Sequence, residues 1–300
     1  EEVIPDRDIR SKHIQTPFSI EPVPLELIIN GKRYEISKVL GHGLNGAVRL
    51  AVAQDGECIV VKKIRGWKSI SHSIHWMNET RRIRLASAIS AQDLQQVVSP
   101  PLDEINRFFC TTYMEGTPLV LKKPDFTLEY VMNVTRITRG LIAKIGVLME
   151  HGLVHRDISN ANVLKNGEQI NVIDIDFITC SDDKTDRAKE KIGAPFFMAP
   201  EISSDKGISR NTDLYSVGCL TAALLGEMRT YTDEGGFLPH RDGADLMRFL
   251  YYKYGGESRS ALYKLGRFVE KTVQEDPSQR PQSGREALQI LDDVGNLNQI

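Results

Sequence analysis

An α+β fold of two lobes, a small β-rich one and a larger helical one, is what this 300-residue sequence predicts. Three observations carry that expectation. Short β-prone runs, separated by Gly and by Gln54-Asp55-Gly56, fill the stretch from Tyr34 to Ile64. Helical periodicity takes over after Gly116 and dominates the rest of the chain. Between the two textures, residues 111–117 read as a hinge. The expected organisation is an extension over 1–27, a small lobe over 28–112 and a large lobe over 113–300. Such a length buries a substantial core without a disulfide or metal staple.

The first 27 residues mix charges with Pro5, Pro17, Pro22 and Pro24, which supply no backbone donor and block helix. They read as an arm, disordered or loosely packed on the small lobe. From Tyr34 to Ile64 the strand runs read as an antiparallel meander. Residues 70–91 place Ile74, Met77, Ile83 and Leu85 at helical positions, and Val97 to Tyr113 is strand-like again. In the large lobe, Val134, Ile137, Leu141, Ile145 and Leu148 repeat at three and four, a buried helical stripe that Gly152 stops. Further helices are expected over 212–228, 243–254, 260–274 and 284–294.

A net charge of −2 gives no bias towards nucleic acid or an anionic membrane. No apolar run reaches the ~18 residues of a membrane span. Cys58, Cys110, Cys180 and Cys219 lie far apart, without metal-ligand spacing, and read as reduced thiols of an intracellular protein. Glu1 stands where an initiator Met would, which fits a piece of a longer protein.

Gly41-His42-Gly43-Leu44-Asn45-Gly46-Ala47-Val48 fits G-x-G-x-x-G-x-V. Glycine lets backbone amides approach phosphate oxygens with no side chain in the way. The run joins two predicted strands, unlike a dinucleotide-binding or Walker loop, which joins a strand to a helix. Ile59-Val60-Val61-Lys62-Lys63 comes next, an apolar strand ending in a lysine that can either reach the α- and β-phosphates of ATP or lie at the surface of an edge strand. Lys62 and Lys63 point to opposite faces, and alternation places Lys62 in the inward set. Glu79, on the predicted helix, is the one acidic residue between Lys63 and Asp93 and is the candidate partner of Lys62.

His155-Arg156-Asp157-Ile158-Ser159-Asn160-Ala161-Asn162 is H-R-D-x-x-x-x-N, and here the chain resembles the eukaryotic protein-kinase family, in its serine/threonine branch. Phosphoryl transfer asks a protein mainly to position groups and neutralise charge. By resemblance, Asp157 orients the substrate hydroxyl and accepts its proton, and Asn162 holds Mg2+. The family's Asp-Phe-Gly falls on Val172-Ile173-Asp174-Ile175-Asp176-Phe177 in one of two registers. Asp174 ends an apolar strand cleanly and is the favoured metal ligand. Asp176 is the alternative, and it forces Asp174 into a normally apolar strand position. Gly193 to Glu201 resembles the end of an activation segment, Asp213 the start of the helix after it, and Asp276 to Pro281 the family's last arginine motif. The resemblance implies a buried Glu201–Arg280 ion pair and an Asp213 that braces the catalytic-loop backbone. It also puts Thr111 behind the adenine and gives the base backbone partners from Thr112 to Met114. The resemblance spans about residues 34–292.

Three positions depart from the family: Ser159 where Lys is usual, Ala194 where Thr is usual, and Asp176 in place of the glycine. The loop thus lacks a cation for the γ-phosphate. Glu190 stands at the usual activation-segment phosphosite and either pairs with Arg156 or is a solvated charge. Thr179, Ser181 and Thr185 are further candidate phosphosites. The resemblance implies an ATP- and Mg2+-dependent serine/threonine protein kinase with protein substrates, and the reduced thiols with no membrane span point to an intracellular, cytoplasmic location. The alternative is a nucleotide-binding pseudokinase that serves as a scaffold.

Overall fold

A computed structural model of the chain describes residues 26–43, 46–63, 94–99, 108–182, 193–203, 207–226 and 258–292. They fall into two compact units, one within Glu1–His75 and Val97–Tyr113, the other within Trp76–Gln96 and Met114–Ile300. The fold is α+β, a β-rich unit followed by a mainly helical one.

The first unit is an antiparallel sheet in the order β1-β2-β3-β4-β6-β5. Its strands are β1 (Glu26–Ile29), β2 (Lys32–Gly43), β3 (Gly46–Ala53), β4 (Cys58–Lys63), β5 (Val97–Ser99) and β6 (Phe108–Thr112). β1 starts inside the stretch read as an arm, because Asn30-Gly31 closes a hairpin in which Leu27 pairs with Tyr34. Both turn residues have positive φ, 52° and 79°, the geometry that an Asn-Gly pair tolerates best. Alternation sends Ala51 and Ala53 of β3 and Ile59 and Val61 of β4 into one apolar cluster with Ile29, Tyr34 and Cys110. Lys62 shares the other face of β4 with Val60, and that face is buried too. The strand-like reading of Val97–Tyr113 resolves into β5 and β6. The helix expected over 70–91 lies outside the described residues, as does the one over 243–254.

In the second unit α1 (Leu128–Glu150) begins where the Thr127 hydroxyl accepts from the Tyr130 N–H at 3.2 Å. Its stripe of Val134, Ile137, Leu141, Ile145 and Leu148 is wholly buried. The helix ends before Gly152, which adopts φ 66°. Short strands β7 (Thr117–Pro118), β9 (Val163–Asn166) and β10 (Gln169–Val172) form one small sheet, and β8 (Leu153–Val154) and β11 (Thr179–Cys180) another. After the four-residue α2 (Pro200–Ser203) comes α3 (Thr212–Leu224), buried on every side and packed between α1 and α4 (Arg259–Thr272). It stops at Leu224 rather than 228 because Gly226 takes φ 93°. The last described helix, α5 (Gly284–Asp292), approaches α1 backbone to backbone. A Cβ on Gly284 would lie 2.6 Å from Gly146 Cα.

Among the described residues no helix is long and apolar enough to cross a membrane. The four cysteines are free. Burial pushes the Cys110 and Cys219 thiols up to about 12.

Candidate active site

The loop between β8 and β9 carries His155 to Asn162, and α3 anchors it from below. Asp213, in the first turn of α3, accepts from the His155 N–H at 2.6 Å and from the Arg156 N–H at 2.9 Å. Its complete burial pushes the carboxyl up, while His155, Arg156 and the two N–H bonds pull the other way. Those bonds fix a backbone that bends against its preference: Arg156 sits at φ 75°, a left-handed conformation uncommon outside glycine.

That bend presents Asp157 to its partners. The Asp157 Oδ1 accepts from the Ala194 N–H at 3.0 Å, and its Oδ2 from the Asn162 side-chain amide at 2.8 Å. The same amide donates to the Asp157 carbonyl at 2.9 Å, so Asn162 bridges the loop to itself. With its nitrogen engaged, Asn162 keeps its oxygen Oδ1 for another partner. Gly193 passes so close that a Cβ there would lie 2.5 Å from the Arg156 carbonyl oxygen, and its φ is 118°. Only glycine brings the Ala194 amide within reach of the carboxylate.

His155 is fully buried and ties the loop to the strand that precedes Asp174. Its Nδ1 accepts from the Asp157 N–H at 3.3 Å, and its Nε2 lies 3.1 Å from the Ile173 carbonyl. The Ile173 N–H donates to the Asn162 carbonyl at 2.9 Å. Asp174 comes next in a left-handed conformation, φ 66° and ψ 56°, and opens a single turn of 3-10 helix over Ile175–Phe177. The Asp174 N–H donates to Gln95 Oε1 at 3.0 Å.

A second buried constellation supports the floor of the loop. Arg280 donates from Nη1 and Nη2 to the two carboxylate oxygens of Glu201, each at 2.7 Å. The Thr212 hydroxyl donates to Glu201 Oε1 at 2.8 Å. Arg280 also donates to the carbonyls of Gln274 and Glu275, and its guanidinium lies 5.0 Å from the Tyr215 ring centre. Every polar atom of the pair is thereby engaged, the condition under which a buried ion pair holds.

In the first unit, Gly41 pairs with Val48 and Gly43 with Gly46, so the glycine-rich run takes in the end of β2 and the start of β3. Lys62, one residue before the end of β4, pairs with Phe109 and is 7% exposed. Thr112 closes β6, and the chain enters the second unit between Tyr113 and Met114. Thr111 is fully buried, and its hydroxyl has no hydrogen-bond partner among the described residues. Glu79 and Glu190 lie outside the described residues, and so does Thr185. Thr179 does not suit phosphorylation as placed, since it is fully buried in β11 and paired with Val154. The sequence reading missed Gln95, and it placed Gly193 only as the start of the activation-segment motif, without its close approach to Arg156. A lone Gln in an apolar run carries no motif, and glycine at 193 is informative only once Arg156 is seen to bend towards it.

A family model for the protein kinase domain matches residues 34–293. The chain belongs to the protein kinase family. This kinase domain is 24% identical over 230 residues to myosin light chain kinase 3 of Rattus norvegicus, an alignment covering 73% of this chain and 28% of that one. It is 25% identical over 264 residues to CBL-interacting serine/threonine-protein kinase 19 of Arabidopsis thaliana, covering 85% of this chain and 52% of the relative. The chain thus spans about half or less of the length of these relatives. The crystal structure of a kinase domain superposes with a TM-score of 0.61 at 16% identity, covering 90% of this chain and 98% of that one, which bears on the fold alone.

Proposed function

We propose that this kinase domain is catalytically active and transfers the γ-phosphate of ATP to serine or threonine hydroxyls of protein substrates. The observation that carries the reading is the Asp157 carboxylate, clamped on one oxygen by the Ala194 N–H and on the other by the Asn162 amide. A carboxylate held that way has a set direction before substrate arrives, and positioning is most of what phosphoryl transfer requires. The Ala194 N–H reaches the carboxylate although residue 194 lacks the hydroxyl that the family usually places there.

In this reading the substrate oxygen attacks the γ-phosphorus, the bond to the β-phosphate oxygen breaks, and Asp157 takes the hydroxyl proton. Lys62 holds the α- and β-phosphates, and the amides of the glycine-rich run from Gly41 to Gly46 approach the phosphate oxygens. Asn162 Oδ1 and the Asp174 carboxylate are hard oxygen donors and fit a divalent cation. Mg2+ typically takes one or two protein ligands and completes its shell with phosphate and water oxygens. When bound, the cation neutralises charge on the phosphates. Ser159, buried where the family usually has Lys, adds no cation of its own, so the turnover of this domain is expected to be low.

The same Ser159 favours a second reading, a domain that binds nucleotide without transferring phosphate. Incubation with γ-labelled ATP, Mg2+ and a basic protein, followed by phospho-residue analysis, separates the two. Label on serine or threonine that Lys62→Ala abolishes supports the active kinase. ATP-dependent thermal stabilisation with no label supports the second reading.

A further inference from the structure

We propose that Gln95 is a positioning residue for the metal-binding turn, holding the peptide unit before Asp174 so that the Asp174 carboxylate keeps its direction. The inference rests on the reading of Asp174 as a metal ligand. Its basis is the peptide group between Ile173 and Asp174, which is clamped at both ends. The Ile173 carbonyl lies 3.1 Å from His155 Nε2, and the Asp174 N–H donates to Gln95 Oε1 at 3.0 Å. Strand β10 ends at Val172, so no sheet ladder holds this peptide, and two side chains do so instead. His155 comes from the catalytic loop. Gln95 comes from the segment just before β5, at the point where the chain leaves the second unit for the first.

The clamp matters because the residue after it is strained. Asp174 is left-handed at φ 66° and ψ 56°, a conformation that a side chain with a Cβ disfavours. Such a residue persists only where its surroundings over-determine it. Rotating the preceding peptide plane is the simplest way out, and that motion changes φ at Asp174 and swings its carboxylate. With both ends of the peptide held, the rotation is blocked. With the N–H end released, that end no longer resists it. Gln95 is itself 2% exposed, so water does not readily replace its oxygen at the Asp174 amide. A tether of this kind acts on the metal through another residue's backbone, as outer-shell partners of metal ligands do.

Three variants of the 300-residue chain test the assignment. Gln95→Met keeps the length and removes the oxygen acceptor. Gln95→Asn keeps the amide and withdraws it by one methylene, and serves if the Met variant does not fold. Gln95→Glu retains an oxygen at the same reach. Two quantities are read: hydrogen exchange at the Asp174 amide without nucleotide, and the Mg2+ concentration needed for half-maximal thermal stabilisation by ATP. We expect the Asp174 amide to exchange about fivefold faster or more in the Met and Asn variants. The Mg2+ midpoint should rise about tenfold, while ATP binding without metal stays as in the wild type. The Glu variant should restore slow exchange. Unchanged exchange in both the Met and Asn variants overturns the tether. Faster exchange with an unchanged Mg2+ midpoint overturns the positioning role. A wild type whose ATP binding ignores Mg2+ removes the underlying reading of Asp174, and the proposal with it. That failure is recognisable because it precedes any substitution.

Discussion

Two residues at the end of the activation segment set the state of Asp157, and neither contributes a functional side chain. Gly193 clears the Arg156 carbonyl and Ala194 offers only its amide. Gly193→Ala would force a Cβ to 2.5 Å from that carbonyl oxygen at a φ of 118°. Either the segment moves or the loop does, and in both cases the Ala194 N–H leaves the carboxylate. Displacement of that size costs on the order of 100-fold in rate. Steady-state kinetics of Gly193→Ala should show this in kcat, with KM for ATP little changed. The ion pair behaves differently. Glu201→Gln leaves Arg280 buried and charged without its partner, and should cost about 3–5 kcal/mol in denaturant unfolding. The sequence showed both Glu201 and Arg280 through motifs, whereas Gln95 was invisible there. Its role depends on a peptide 79 positions along the chain, a distance set by the fold alone.

Among the elements, the periodic ones were the most legible. The stripe from Val134 to Leu148 is buried as its spacing implies, because a long helix with one apolar face has a single way to lie on a core. Helix ends were read less well. α3 reads on to 228 by apolar content, yet Gly226 stops it at Leu224, since a left-handed glycine ends a helix whatever the apolar residues beyond it do. The first two residues of β1 were absorbed into an arm, because the charged, Pro-rich stretch over 1–27 masks a strand start that the Asn30-Gly31 turn fixes. For packing between elements, the α1–α5 contact gives a direct test. Gly284→Ala would place a Cβ 2.6 Å from Gly146 Cα, backbone against backbone, with no flexible side chain to yield. Overpacking there should destabilise by about 1–3 kcal/mol and lower the melting temperature. Because α5 packs on α1 and α4, the protein that remains folded should transfer phosphate at the wild-type rate.

For the whole molecule, the buried thiols predict how stability varies with pH. Cys110 and Cys219 rise from the ordinary 9.0 to about 12 on folding, because burial penalises the thiolate. The folded chain therefore keeps protons that the unfolded chain releases above pH 9. Stability attributable to these thiols is fully present below pH 9 and is lost as pH rises from there towards 12. The slope is about 1.4 kcal/mol per pH unit for each thiol. Urea unfolding between pH 8 and 10.5 should show the decline, and Cys219→Ala should reduce its slope while leaving that of Cys110. The two-unit, β-then-α organisation was readable because the texture of the sequence changes once. The catalytic loop was readable because its residue types are dictated by phosphoryl transfer. The joints between the loop, the segment at Gly193–Ala194 and the turn at Asp174 were not, since backbone amides and carbonyls take part in them and carry no sequence signature. If the clamped Asp157 makes this domain a working kinase, single-turnover transfer from γ-labelled ATP should separate wild type from Asp157→Asn, with ATP affinity measured alongside. The wild type should transfer phosphate, the variant should lose at least about 100-fold, and both should bind ATP equally. Equal transfer by both proteins, or none by a wild type that binds ATP, would contradict that role for Asp157.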